Sequence, residues 1–272
     1  MRVLRTHHIL PLFCMVDDQL PNRVHRGRQA TLKDSEVVTI LAFNLLTVQQ
    51  QTLRQVYDWV RQYHGSDFPN LPTYQNFVKH CHRLIPTLAT VLDSLLASEA
   101  ELRFMDSTML EVCRLVRMKY HKVARGHARK GYNHQGEHYG FKLHASIDND
   151  GRLCAYVFSD ALAHDSRVIP YPVNERTKVA VGDTGYRSRP LHKKIRKAFG
   201  TFILTPPHYK QKKQLLTRSQ LKLLRRRPKI ETVFDYLKQH LHLQTSFQRS
   251  MQGYALHYLR ILLDYQLLQM GW

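Results

Sequence analysis

Apolar residues recur every three to four positions through the first hundred residues, then give way to short apolar runs and alternations. The first spacing is that of helices with one buried face, the second that of strands. Val38, Leu41, Ala42, Leu45 and Leu46 predict a helix over 35–48, with Thr31, Asp34 and Ser35 as candidate caps. Leu53, Val56, Tyr57 and Val60 predict a second over 53–63, stopped by Gly65 and Pro69. A third is expected from near Thr73 to His82, and a fourth from Pro86 to Leu96. Strands are then expected at 102–106, 139–147 and 153–158, with Asp148-Asn149-Asp150-Gly151 as a hairpin turn. Further strands at 178–183 and 201–205 alternate with helices at 188–198, 215–224, 229–241 and 254–270. Pro228 falls at the first position of the third of these helices. The pattern describes a mixed α/β sheet flanked by helices, preceded by a helical N-terminal domain. The boundary falls near residue 100, giving domains of 1–100 and 101–272. The N-terminal helices suit a helix-turn-helix-like DNA-binding module or a plain helical bundle equally well.

Charge narrows the partners. Lys and Arg number 41 against 21 Asp and Glu, a formal net charge of +20, which favours a polyanion. The excess is localised. Between Thr184 and Ile230 stand fifteen Lys or Arg and no acid. A second basic segment, 112–136, carries Arg114, Arg117, Lys119, Lys122, Arg125, Arg129 and Lys130, again without an acid. It is long for a hairpin loop, and a DNA-contacting arm is one reading. Its Tyr120, His121, Tyr132 and His134 can stack on unpaired bases, or pack the arm on its own domain.

Cys14, Cys81, Cys113 and Cys154 contain no C-x-x-C pair, which argues against a structural zinc and a disulfide framework. His80-Cys81-His82 is read as incidental, since adjacent helical residues diverge. The opening Met1–His8 stretch and the apolar run Ile9–Val16 lack a cleavage signal and the length to span a bilayer. A cytoplasmic, nucleoid-associated protein with no membrane partner is expected.

Three acids stand where catalytic carboxylates belong. Asp106 is expected to end the first strand, Asp183 a later one, and Glu231 to lie on the first turns of a helix. Each has an ordinary alternative: a turn cap for Asp106, local hydrogen bonding before Gly185 for Asp183, the helix dipole for Glu231. Taken together at one sheet edge they would repel unless cations neutralised them, and two magnesium ions about 4 Å apart would do so. Arg227, Glu231 and Lys238 share one helix face, which either brings cations to a phosphodiester or is an ordinary helix ion pair.

Four ordered blocks carry a resemblance. Phe104-Met105-Asp106-Ser107-Thr108, Tyr139-Gly140-Phe141-Lys142-Leu143-His144, Val181-Gly182-Asp183-Thr184-Gly185-Tyr186 and the run Ile230–Lys238 resemble signatures of bacterial insertion-sequence DDE transposases. The nearest group is insertion-sequence family nine-eight-two, which Phe13–Asp18 and Phe68–Tyr74 also fit. The resemblance implies an RNase H-like catalytic domain and two Mg²⁺ (or Mn²⁺) ions on Asp106, Asp183 and Glu231. It also implies double-stranded element-end inverted repeats and target DNA as partners, and a homodimer or larger synaptic complex. Arg227, Glu231 and Lys238 match three places of a tyrosine–arginine–glutamate–lysine pattern. Leu224 stands at the tyrosine place, a departure that removes any role of that side chain. Asp165, in Ala163-His164-Asp165-Ser166, is read as structural or supporting. Charge and motif position select Lys119, Lys122, Lys142, His144, Tyr186, Arg187, Arg225, Arg226, Arg227 and Lys238 as candidate DNA contacts. The expected activity is metal-dependent cleavage and strand transfer. The alternatives are an RNase H-like nuclease or resolvase that cuts without joining, and a catalytically silent sequence-specific DNA-binding protein.

Overall fold

A computed structural model describes residues 8–20, 31–133, 136–168, 171–207 and 215–272. Met1–His7, His134 and the basic residues Lys210, Lys212 and Lys213 lie outside them. Two units are distinguished. One comprises the described residues up to Leu95 with Leu241–Leu243 and Phe247–Trp272; the other comprises Leu96–His240 and Gln244–Ser246.

The first unit is helical. Its elements are α1 (Ile9–Asp18), α2 (Asp34–Thr47), α3 (Leu53–Tyr63), α4 (Tyr74–Arg83), α5 (Ile85–Leu95) and the long closing helix, α10 (Met251–Gln269). Nearly every residue of α2 and α10 is buried, and α10 packs on α2, α4 and α5. Helices apolar all round belong in the middle of a bundle, with the amphipathic ones outside. Glu36 closes the start of α2, its carboxylate accepting from the Lys33 N–H at 2.5 Å. Asp34, expected as a cap, is the first helical residue and accepts from His80 Nε2 at 2.8 Å and Arg83 Nη2 at 3.3 Å. Cys81, next to His80, is buried, while His82 turns to a separate cavity. Among the described residues no helix is long and apolar enough to cross a membrane.

The second unit is built on a six-stranded sheet. Its strands are β1 (Leu102–Glu111), β2 (Arg129–Asn133), β3 (Gly136–Ile147), β4 (Leu153–Asp160), β5 (Val179–Val181) and β6 (Phe202–Leu204). β3 runs antiparallel to β1 on one side; on the other it pairs with β2 along its first residues and β4 along its last. β1, β5 and β6 are mutually parallel. The helices are α6 (Asp165–Val168), α7 (Arg189–Phe199), α8 (Arg218–Arg226) and α9 (Lys229–Gln239). Three antiparallel strands followed by parallel ones crossed by helices make an RNase H-like mixed sheet. The predicted Asp148–Gly151 turn forms, with Asp148 Oδ1 accepting from the amides of Asp150, Gly151 and Arg152.

Two strand expectations need correction. β1 does not stop at Asp106 but runs five residues further, to Glu111. The segment 112–136 is not one open arm: it holds a 3-10 turn over Leu115–Tyr120 and the strand β2. Gly131 is required there, because a Cβ would meet the Ala161 carbonyl oxygen at 2.1 Å.

Candidate active site

The parallel register of β1 and β5 places the first two acids. Phe104 pairs with Val181, and Asp106 and Asp183 each lie two residues beyond. Side chains repeat every second residue, so the two carboxylates leave the carboxyl edge of the parallel strands in matching positions. Asp183 is the last extended residue (φ −78°, ψ 175°) before the 3-10 turn Thr184–Tyr186. The third acid arrives on α9, whose buried face of Ile230, Val233, Phe234 and Leu237 packs against β1. Glu231 lies at the flank of that face, in the first turn, where the helix dipole favours an anion.

Arg227 ties the site together. It ends α8 with helical angles, and Pro228 follows at φ −55°, ψ −13°. Proline has no N–H to continue the helical ladder, so the chain turns a corner between α8 and α9. The Arg227 guanidinium then forks: Nη1 donates to Asp106 Oδ2 at 3.0 Å, and Nη2 to Glu231 Oε1 at 2.5 Å. Asp106 also accepts from the Ser107 N–H at 2.8 Å. Burial pushes the Asp106 carboxyl up to about 6; Asp183 and Glu231 add to the rise, and the Ser107 amide and Arg227 oppose it. Desolvation is the main cause of the rise, and the two neighbouring carboxylates add a smaller part.

A second polar cluster lies behind the first. Neighbouring strand residues face opposite ways, so Ser107 points away from the Asp106 side. Its hydroxyl donates to Asp165 Oδ1 at 2.9 Å. Lys142 Nζ donates to the same oxygen at 3.2 Å and to the Ala163 carbonyl at 2.9 Å. Ser159 donates to the Asp160 carbonyl and therefore accepts from His144 Nε2, at 2.9 Å. Burial lowers His144 to about 4, so the ring is neutral. Tyr186 is fully buried in the adjoining core of Met105, Ala180, Ile195 and Ile203, and burial raises its hydroxyl well above the ordinary value, with Asp165 and Asp106 adding to the rise.

Lys142, His144 and Tyr186, expected as DNA contacts, are therefore interior: they are 8 %, 0 % and 0 % exposed. The polar ends of Lys142 and His144 are taken up by Asp165, Ala163 and Ser159, and Tyr186 is enclosed in the core; all three brace the sheet around Asp106. Lys119, Lys122, Arg225 and Arg226 are exposed. Arg187 and Lys238 are half-buried, and desolvation lowers Lys238. Arg227 faces the acids. Sequence reasoning missed the anchoring role of Ser107 and Ser159; only the pairing of β1, β3 and β4 reveals it.

The donor set is chemically suited to a divalent cation. Three carboxylates are hard oxygen donors of the kind magnesium takes, and a guanidinium already supplies positive charge between two of them. Among the described residues no three His, Cys, Asp or Glu side chains stand close enough together to hold one ion as they are placed.

An RNase H-like sheet with Asp106 and Asp183 at the carboxyl edge of its parallel strands fits the class of nucleic-acid phosphoryl-transfer folds. Residues 96–251, more than half of the chain, match the family described as transposase DDE domain, and the chain belongs to it. The protein is a transposase. No curated protein and no solved structure matches the chain.

Proposed function

We propose that Asp106, Asp183 and Glu231 are the catalytic carboxylates of an insertion-sequence transposase of the nine-eight-two type. It would cut at terminal inverted repeats and join the ends to target DNA. The observation that carries this is the Arg227 fork, which holds Asp106 and Glu231 together although Arg227 lies 121 residues from Asp106 in sequence. The strand register supports the same placement of Asp183. Two magnesium-type ions bound to these acids would activate the attacking oxygen and stabilise the leaving one. The protein's own part is to gather the charge, hold Glu231 on a rigid helix, and brace β1 through the Ser107–Asp165–Lys142 contacts. No side-chain nucleophile is needed, because positioning and electrostatics carry phosphoryl transfer. Lys119, Lys122, Arg225 and Arg226 offer exposed positive charge to the DNA backbone. The helical unit would anchor element-end DNA and pair two or more chains in the synaptic complex.

The test is cleavage and joining of labelled element-end DNA with Mg²⁺, using the parent and the variants Asp183→Asn and Glu231→Gln. End-specific nicks and joined product from the parent alone are expected, with salt-sensitive DNA binding kept in all three. Cleavage by either variant overturns the assignment of that acid. Cleavage of element ends with no joining of a supplied precut 3′-OH end to target DNA would instead indicate a nuclease or resolvase, and binding without any chemistry a silent DNA-binding protein.

A further inference from the structure

Two helix N-termini and a buried arginine converge on one cavity of the helical unit. The cavity measures about 560 Å³. The first turn of α3 reaches it with Thr52, Leu53 and Arg54, and the start of α10 with Ser250 and Gly253. At each end the capping hydroxyl takes the third amide: Thr52 Oγ1 accepts from Gln55 N at 3.3 Å, and Ser250 Oγ from Gly253 N at 3.0 Å. The remaining amides of each first turn have no partner within their helix. Helices of eleven and nineteen residues thus bring the positive ends of two dipoles to one place.

The side chains agree in sign. Among the described residues Arg54, Arg249 and Arg260 line the cavity and no Asp or Glu does, although Arg54 is also paired with Asp58 at 2.8 Å. The wall residues His82 and His257 add no charge at neutral pH, since burial lowers both. Arg260 supplies the second, independent observation. Only 3 % of it is exposed, its Nε has no hydrogen-bond partner, and Nη2 reaches one carbonyl, that of Gln50, at 3.4 Å. Asp264 lies one turn on along the helix, but neither of its oxygens is hydrogen-bonded. Burial pushes that carboxyl well up, which favours its neutral form over a countercharge. Arg260, lowered by burial only to about 10, stays cationic. A buried cation without an anion is unfavourable, and an anion entering this cavity would relieve it. Tyr74 and the exposed Phe247 on the walls suit the sugar or base next to a phosphate.

We propose that this cavity is a phosphate-binding site that grips the backbone of a DNA strand. It lies outside the carboxylate site and rests on the reading of the protein as a transposase.

The test is anisotropy of a labelled duplex titrated with the full chain in EDTA over a salt series. Arg249→Gln changes an exposed residue with little bearing on folding; Arg260→Gln changes the buried one, with circular dichroism to verify its fold. Each variant should lose about tenfold in affinity, and the log–log salt slope should fall by about one. A folded Arg260→Gln and an Arg249→Gln that both keep the parent's affinity and slope would overturn the site, leaving the transposase reading intact. A parent that binds no duplex at all would remove that reading and this one with it. Calorimetry with a deoxynucleoside 5′-monophosphate separates the sources. Uptake by the parent and not by Arg249→Gln, beside unchanged duplex affinity, would keep the phosphate site but overturn the DNA strand as its occupant.

Discussion

Replacing Asp106 by asparagine should make the metal-free protein more stable while abolishing cleavage. Asp106 is about one-fifth exposed, with its side chain at 18 %, and it shares its surroundings with Asp183 and Glu231. Burial first, then those two charges, raises it from 3.8 to about 6 despite Arg227. The sign follows from proton linkage. A group whose folded value lies above its unfolded one imposes no penalty below about pH 4, a growing one to about pH 6, and a constant one beyond. At about 1.4 kcal/mol per pH unit the full penalty is about 3 kcal/mol. Asparagine keeps the shape and an oxygen for Arg227 but has no charge to strand. Urea unfolding of both proteins in EDTA is the assay, at pH 4 and pH 8. Asp106→Asn should match the parent at pH 4 and exceed it by about 3 kcal/mol at pH 8, or roughly 6–12 °C in Tm. A stability difference equal at the two pH values, or a variant weaker at pH 8, would refute the reasoning. Functional sites commonly hold such unfavourable charge.

Arg227→Lys keeps the positive charge but cannot fork across two carboxylates, so cleavage should fall about tenfold or more, with duplex affinity within about twofold; single-turnover kinetics beside anisotropy measures both. Arg103 is 1 % exposed and donates to the carbonyls of Ser98, Ala100 and Pro172. Arg103→Met strands those oxygens, and denaturant unfolding should show a loss of about 3–5 kcal/mol. Asp264→Asn should remove a pH dependence. The parent's helical unit loses stability as pH rises from about 4 towards about 8, because the folded carboxyl is raised, and the variant should stay flat over that window in thermal melts.

Much of the fold was legible because burial and period coincide. The helix predicted over 53–63 is α3 to the residue; the strand carrying Asp106 forms where an apolar run precedes it, while β5 ends at Val181, two residues before Asp183. The end of β1 was not legible. Asp106, Ser107 and Thr108 read as a polar stop, yet Met109 and Leu110 are buried beyond them because β3 continues alongside. β2 was missed since Arg129-Lys130-Gly131-Tyr132-Asn133 has no apolar alternation; it joins through backbone pairing and the tight seat of Gly131. Lys142 and His144 misled by charge: their acidic partner, Asp165, lies 23 and 21 residues away in sequence, and only strand pairing brings it near. The three candidate acids were nameable from position, but the fork of Arg227 depends on a corner at Pro228 that no periodicity encodes.

The place of α10 has a consequence for how the protein comes into being. The helical unit opens the chain, yet the central helix of its core is translated only after the whole sheet unit has been made. Domains usually fold in the order in which they leave the ribosome. Here the order inverts: the sheet unit can complete itself first, while α1–α5 wait with the apolar face of α2 uncovered for the helix that closes over it. A message truncated before Met251 would therefore yield a finished carboxylate site on a chain whose helical half has no core to fold around.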